Sequence, residues 1–392
     1  ERVYMISEQT KLLWRDSFLC TLLTFIVSGI LLFVFLNISV LDPFYKAFKD
    51  FRFTDIYYSK IYTNNSVEKD IIIVNIKQSD RFTIAQAIEK VQQQNPKAIG
   101  IDAIFKEQKN TFTDSILKAV LNKYDNIITA YYFEGDSLIT NHNYFKTNNE
   151  NQGFINVNFN NENKVIRDFL GIKKTENKLS FATQVALKAG KLSKKDVETL
   201  SEGIPINYFG NLDAFLTFDI DELLDLETIP SITNAIVLFG YLGTPTGNAF
   251  DIEDKHFTPL NETFVGKSTP DMFGVLIHAN IIKMLTTNNF ISKVPKTIVY
   301  LLAFICTFFI VMFGMKLYKK SELLYDIIIK LIQLIISITL LYLALLLLRQ
   351  NIYIYITPIL VLTIFSLEMI DFYVYLLDFL KKRFKWQSYL LN

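Results

Sequence analysis

Four uncharged apolar runs punctuate the chain, and a long stretch of a different rhythm separates the first from the second. SFLCTLLTFIVSGILLFVFLNISV covers residues 17–40, and TIVYLLAFICTFFIVMFGM starts at Thr297. LIQLIISITLLYLALLLL starts at Leu331 and NIYIYITPILVLTIFSL at Asn351. A bilayer core needs about 20 apolar residues in a helix. The pattern therefore predicts transmembrane helices over 17–40, 297–317, 325–348 and 351–371, with short cytoplasmic segments over 1–16 and 372–392. Pro358 falls inside the fourth run, a residue that membrane helices accommodate. The first run is too long for the apolar region of a signal peptide and lacks a small-x-small exit, so it reads as an uncleaved anchor.

Residues 41–296 alternate short β-branched runs with helical spacing. DIIIVNI (70–76), KAIGID (97–102) and NIITAYYF read as strands; RFTIAQAIEKVQQQ and TDSILKAVLNKY carry apolar residues at helical intervals. Strand, helix, strand, helix, strand is the signature of parallel βαβ units. GFINVNF, VIRDFLGI, IPINYFG and AIVLFGYLG add further expected strands, and FATQVALKAG and the opening stretch add helices. The expected fold is one α/β domain with a mainly parallel sheet and flanking helices, joined to four membrane helices.

Composition agrees. The chain is 51% hydrophobic and 14% aromatic with a net charge of +1, which lacks the basic excess of a nucleic-acid binder. Its two cysteines, Cys20 and Cys306, sit inside apolar runs and cannot staple the domain, which must rely on an ordinary core. Lysine and arginine set orientation. Lys11 and Arg15 precede the first run, Lys316, Lys319 and Lys320 follow the second, and Lys381, Lys382, Arg383 and Lys385 follow the fourth; the third turn holds only Arg349. Both ends are then cytoplasmic and 41–296 faces outward.

IIIVNI, KAIGIDAIF, GFINVNFNNENKVIR, INYFG, AIVLFGYLG, DKHFTPL and FGVLIHANIIKML occur in this order. Together they resemble the second type of CHASE domain, an extracellular sensor associated with cyclases and histidine kinases. One span, the sensor, then three close spans is the layout that the resemblance implies, in a multi-pass protein of the bacterial inner membrane. It also implies a cytoplasmic output module, expected here to be missing or to lie on a separate polypeptide. The family's first strand usually ends Asp-x-Asp before a Gly- and Trp-containing loop, whereas this chain has Asn75 and Lys77 and runs directly into SDRFTI.

Candidate chemistry is sparse. VGKST (265–269) lacks the first glycine of a phosphate loop, since position 261 is Asn. Asp251, Glu253, Asp254 and His256 match no standard metal spacing. No nucleophile with a base is evident, and neither enzyme activity, cofactor nor metal is expected. Asp102, at a strand end, and Arg167 are read as a polar pocket or an ion pair. His278 is read as a buried packing residue bonded to a backbone carbonyl, with ligand contact as the alternative. By the resemblance, Asp254, Thr258 and Pro259 form a structural turn before the last helix of the domain, where Gly274 permits a tight approach. Glu368, Asp371 and Asp378 share a face about 80° wide at 100° per residue, a stripe suited to docking a partner.

The resulting function is a membrane sensory module passing a signal to a separate effector or partner subunit; the alternative is a scaffold subunit of an envelope complex that reuses the fold. Membrane lipid is an expected contact, a second copy of the chain is an open one, and nucleic acid is not expected.

Overall fold

The computed structural model describes residues 8–37, 53–135, 137–147, 151–157, 165–262 and 269–391. The chain divides into two compact units, Glu1–Lys49 with Ser292–Asn392, and Asp50–Ile291. The first unit begins with helix α1 (Glu8–Asn37). Its buried Thr21 and Thr24 hydroxyls donate to the carbonyls of Ser17 and Cys20, both at 2.8 Å, so an apolar helix carries them without an unpaired donor.

The Asp50–Ile291 unit is built on a seven-stranded sheet. Its elements in chain order are β1 (Glu68–Asn75), α2 (Arg81–Gln92), β2 (Ala98–Ile101), α3 (Thr111–Lys123), β3 (Ile127–Glu134), β4 (Ser137–Ile139) and β5 (Gln152–Phe154), then α4 (Phe181–Lys188), β6 (Phe215–Asp219), α5 (Ile220–Asp225), β7 (Ile236–Gly240) and α6 (Gly274–Thr287). The order across the sheet is β6, β1, β7, β2, β3, β4, with β5 also beside β3. Every pairing is parallel except β3 with β4. Local signals start the helices. Asp80 caps α2 by accepting from Thr83 N at 2.8 Å, Asn110 caps α3 and Ser180 caps α4.

A parallel sheet covered on both faces must be apolar on both, which is why Ile71–Val74 form an unbroken run. Ile72 and Val74 join Ile84, Ile88, Leu117, Leu121 and Leu223 in the core beneath α2, α3 and α5. Alternation turns Ile71 and Ile73 to the opposite layer, formed by α4 and α6. Those helices lie close on the sheet. A Cβ on Gly240 would stand 2.6 Å from Val275 Cβ, and one on Gly153 would stand 2.5 Å from Phe181 Cα.

Mixed α/β architecture with a mostly parallel sheet follows the alternation in the sequence. Several expected strands are shorter and leave the sheet: VIRDFLGI and IPINYFG contribute two-residue ladders, Asp168–Phe169 with Ile204–Pro205 and Ile172–Lys173 with Lys178–Leu179. β6 was not among the expected strands, yet it takes the edge beside β1.

In the first unit, α7 (Lys296–Lys320), α8 (Glu322–Arg349) and α9 (Ile356–Phe384) join α1. All four are long and apolar enough to cross a membrane. Leu13, Cys20, Val311, Met315, Tyr325, Leu367, Ile370 and Tyr373 form their shared core. A two-stranded parallel ladder joins Ser292–Lys293, before α7, to Ile352–Tyr353, between α8 and α9. After α9, Lys385 turns through a left-handed backbone (φ 53°) and residues 386–391 return onto α1. There the buried Asp16 carboxylate accepts from Ser388 Oγ and Tyr389 N, both at 2.8 Å, and from Arg15 Nη2 at 2.8 Å. Arg15 in turn donates to the Gln387 carbonyl and lies 4.7 Å from the Trp386 ring centroid.

Candidate functional site at the carboxyl edge of the sheet

Open parallel sheets present their ligand-binding groups at the carboxyl ends of the strands. At the end of β1, Asn75 is fully buried and all its polar atoms are used. Its Nδ2 donates to Thr246 Oγ1 at 2.7 Å and to the Gly243 carbonyl at 2.9 Å. Its Oδ1 accepts from Leu242 N and Lys77 N, both at 3.0 Å. Lys77 Nζ bridges Asp219 at 3.0 Å and Asp221 at 2.9 Å, on and just beyond neighbouring β6. Burial acts to raise the Asp219 carboxyl, but the Thr246 hydroxyl and Lys77 together hold it below its ordinary value. Asn-x-Lys at the end of β1 thus faces Asp-x-Asp at the end of β6, and the network closes on itself.

Further along the edge, Asp102 follows β2. Its N–H donates to the Phe239 carbonyl at 2.8 Å, while its half-buried carboxylate has no hydrogen-bond or ion-pair partner among the described residues. Burial pushes this carboxyl well above its usual range, and nearby Asp254 adds to the shift. Asp254 occupies a left-handed position (φ 58°), and its carbonyl accepts from Gly274 N at 3.0 Å. A Cβ on Gly274 would approach the Asp254 carboxylate oxygens to 3.0 and 3.2 Å, a contact that the exposed Asp254 side chain can relieve by a small shift. His256 Nε2 lies 3.8 Å from Asp254 Oδ1. Thr258 is buried; its N–H and hydroxyl both donate to Asp271, at 2.8 and 2.5 Å, and Pro259 is buried beside it. Desolvation moves Asp271 up to about 6 against those bonds. Asp254, Thr258, Pro259 and Gly274 therefore surround one short antiparallel ladder, Lys255–His256 with Met272–Phe273, that leads into α6.

His278 is buried on α6, with its ring 5.2 Å from Phe181 in an edge-on contact. Its Nδ1 has no hydrogen-bond partner, so the backbone bond expected of it is absent at that nitrogen. Burial, with His256 adding, holds it neutral, its pKa lowered to about 3. The polar anchor of α6 is a residue that sequence reasoning passed over. Asn280 accepts from Phe209 N at 2.7 Å and Gly210 N at 3.1 Å, and donates to the Gly210 carbonyl at 2.9 Å. Its only signal is an amide in the apolar IHANII stretch. Arg167 is not brought to Asp102: its guanidinium grips Asp55 in a two-point pair at 2.9 and 2.7 Å. Asp55 lies in the short helix Phe53–Ile56, in the opening stretch expected to be helical, but nothing in the sequence marked it as the partner of Arg167.

A family model of the CHASE2 domain matches residues 20–315. The chain belongs to the CHASE2 family. CHASE2 is a sensor domain rather than a catalytic one, and the role that membership suggests is extracellular sensing. No curated protein matches the chain, and no solved structure does.

The CHASE2 match runs from within α1, through the α/β unit, to within α7. Beyond it, the acidic stripe of α9 is partly engaged. Glu368 pairs with Lys330 and accepts from Gln333 at 2.7 Å, while Asp378 pairs with Lys382 at 2.6 Å. Asp371 has no ion-pair partner among the described residues, and neither has Asp326, because Lys330, one turn on from it, reaches across to α9 instead. Residues 265–268 of VGKST lie outside the described residues. Asp251 is tied into its own loop by the Tyr241 hydroxyl at 2.5 Å and Thr244 N at 3.2 Å. Among the described residues, no three His, Cys, Asp or Glu stand where they could hold a metal ion.

Proposed function

We propose that this CHASE2 protein is an integral membrane sensory module. Its α/β unit faces outward, its four helices span the bilayer, and a separate effector or membrane subunit receives the signal. The observation that carries this reading is the continuity of the CHASE2 match from the first apolar helix through the α/β unit into the second. The lysine and arginine flanks support the orientation. Transmission requires two arrangements of the helices that the outer unit biases differently. The Asp16 contact supports a route inward, because it ties the helix that precedes the sensor to residues 386–391, beyond the last helix. Reporter fusions joined after residues 160 and 384 are expected on opposite sides of the membrane; the same side for both overturns the topology.

The closed Asn75–Lys77–Asp219 network favours a second reading, a scaffold subunit that keeps the sensor fold without a ligand at this edge. The neighbouring genes separate the two: a histidine kinase or cyclase supports the sensor, whereas membrane-complex subunits support the scaffold.

A further inference from the structure

A cleft of about 830 Å³ opens on the β3/β5 side of the α/β unit, away from the residues discussed above. Its walls are β3 and β5, the hairpin of Ile172–Lys173 and Lys178–Leu179, helix α4, and the short helix Lys194–Val197. The size suits one small organic molecule, since ligand pockets run roughly 300–1,000 Å³.

We propose that this cleft binds a sugar-sized organic anion, a sugar bearing a carboxylate or a phosphate. Charge is the first reason. Lys178, Lys188 and Lys194 line the cleft with Glu176 and Glu198. Glu176 is already neutralised by Lys173 at 2.5 Å. Lys188 donates to the neutral amide oxygen of Asn151 at 3.0 Å, and Lys178 rests over the Tyr131 ring with Nζ 5.2 Å from the centroid, so neither spends its charge on a carboxylate. Lys194 has no ion-pair partner among the described residues. Three available ammonium groups therefore stand against the single carboxylate of Glu198.

Tyr131 supplies the second reason. It is only 5% exposed, its hydroxyl has no hydrogen-bond partner among the described residues, and it lines the cleft. The ring is packed away, but the hydroxyl itself is not sealed from solvent and faces the cleft with its bonding capacity unspent. Burial, reinforced by Glu176, raises its pKa, so the hydroxyl stays protonated and can donate to an incoming oxygen. Gln184 places an amide on the wall while Leu179 and Leu187 supply apolar surface. A hydroxyl-rich ring with apolar faces and one acidic group matches that mixture.

The inference concerns binding alone, so it stands or falls apart from whether the chain signals. The test is calorimetric titration of the full chain in detergent with digalacturonate, glucose 6-phosphate and uncharged cellobiose. At least one anion is expected to bind at least tenfold more tightly than cellobiose, and the tighter anion names the acidic group. Lys178→Gln with Lys194→Gln should weaken that anion at least tenfold. Lys194→Gln alone, at an exposed position, should weaken it severalfold with the melting temperature unchanged. Tyr131→Phe should weaken it without altering the salt dependence. Absence of binding by both anions, equal binding of cellobiose, or anion binding unchanged in the lysine variants overturns the proposal.

Discussion

Replacing Asn280 with alanine should unsettle the α/β unit more than the same change at the neighbouring His278. The Asn280 amide is fully buried, and it satisfies the backbone N–H groups of Phe209 and Gly210 and the carbonyl of Gly210. Its bond to the Leu276 carbonyl, at 2.8 Å, lies within α6, where the helix already supplies a backbone donor. Alanine leaves both Gly210 groups without partners in the interior, while Phe209 N is only part-buried. Each buried orphan costs about 1–3 kcal/mol, so the two together cost about 2–6 kcal/mol. At roughly 2–4 °C per kcal/mol for a domain of this size, the melting temperature falls by about 4–24 °C. His278→Ala removes a packed ring whose Nδ1 makes no hydrogen bond, at a cost of about 1–3 kcal/mol. Thermal unfolding of residues 41–296 expressed alone, followed by circular dichroism, measures both. An Asn280→Ala protein melting within about 2 °C of the parent, or a larger drop for His278→Ala, refutes the reasoning.

Other outcomes follow from the same contacts. Asp102 has a raised carboxyl pKa in the folded state, so the native form binds its proton more tightly than the unfolded chain does. It therefore costs stability as pH rises above the ordinary carboxylate range; Asp102→Asn should stabilise the unit at pH 7, and the gain should vanish below about pH 4, read from melting curves across pH. Arg167→Met removes the two-point partner of Asp55 and should cost about 3–5 kcal/mol, with the Asp55→Leu, Arg167→Met double variant losing less than the two single changes summed. A methyl group at Gly153 would meet the backbone of Phe181, so Gly153→Ala should destabilise by at least about 1–3 kcal/mol in a denaturant titration. If these acids face protein, changing Asp326 and Asp371 to Asn should weaken any assembly of the chain while leaving the α/β unit's melting unchanged; unaltered co-purification and unaltered oligomer size in detergent would reduce them to an ordinary interfacial helix end.

The sequence by itself determined what depends on local period and composition. Apolar runs of membrane length marked the four helices, and β-branched runs alternating with helical spacing marked the parallel α/β unit, because burial on both faces of a sheet leaves a continuous apolar signature. The order of motifs also carried the CHASE2 resemblance, which the family match over residues 20–315 shows. Tertiary structure decided the partners. Arg167 found Asp55, 112 residues away, and not Asp102. Lys330 crossed to Glu368 although Asp326 lay one turn back on its own helix. His278 drew attention as a rare residue type, while the structural bonds went to Asn280, whose partners lie 70 and 71 residues earlier. Pairings at such separations leave no periodic trace, because they are set by which side chains a completed fold places within about 3 Å, where a hydrogen bond forms.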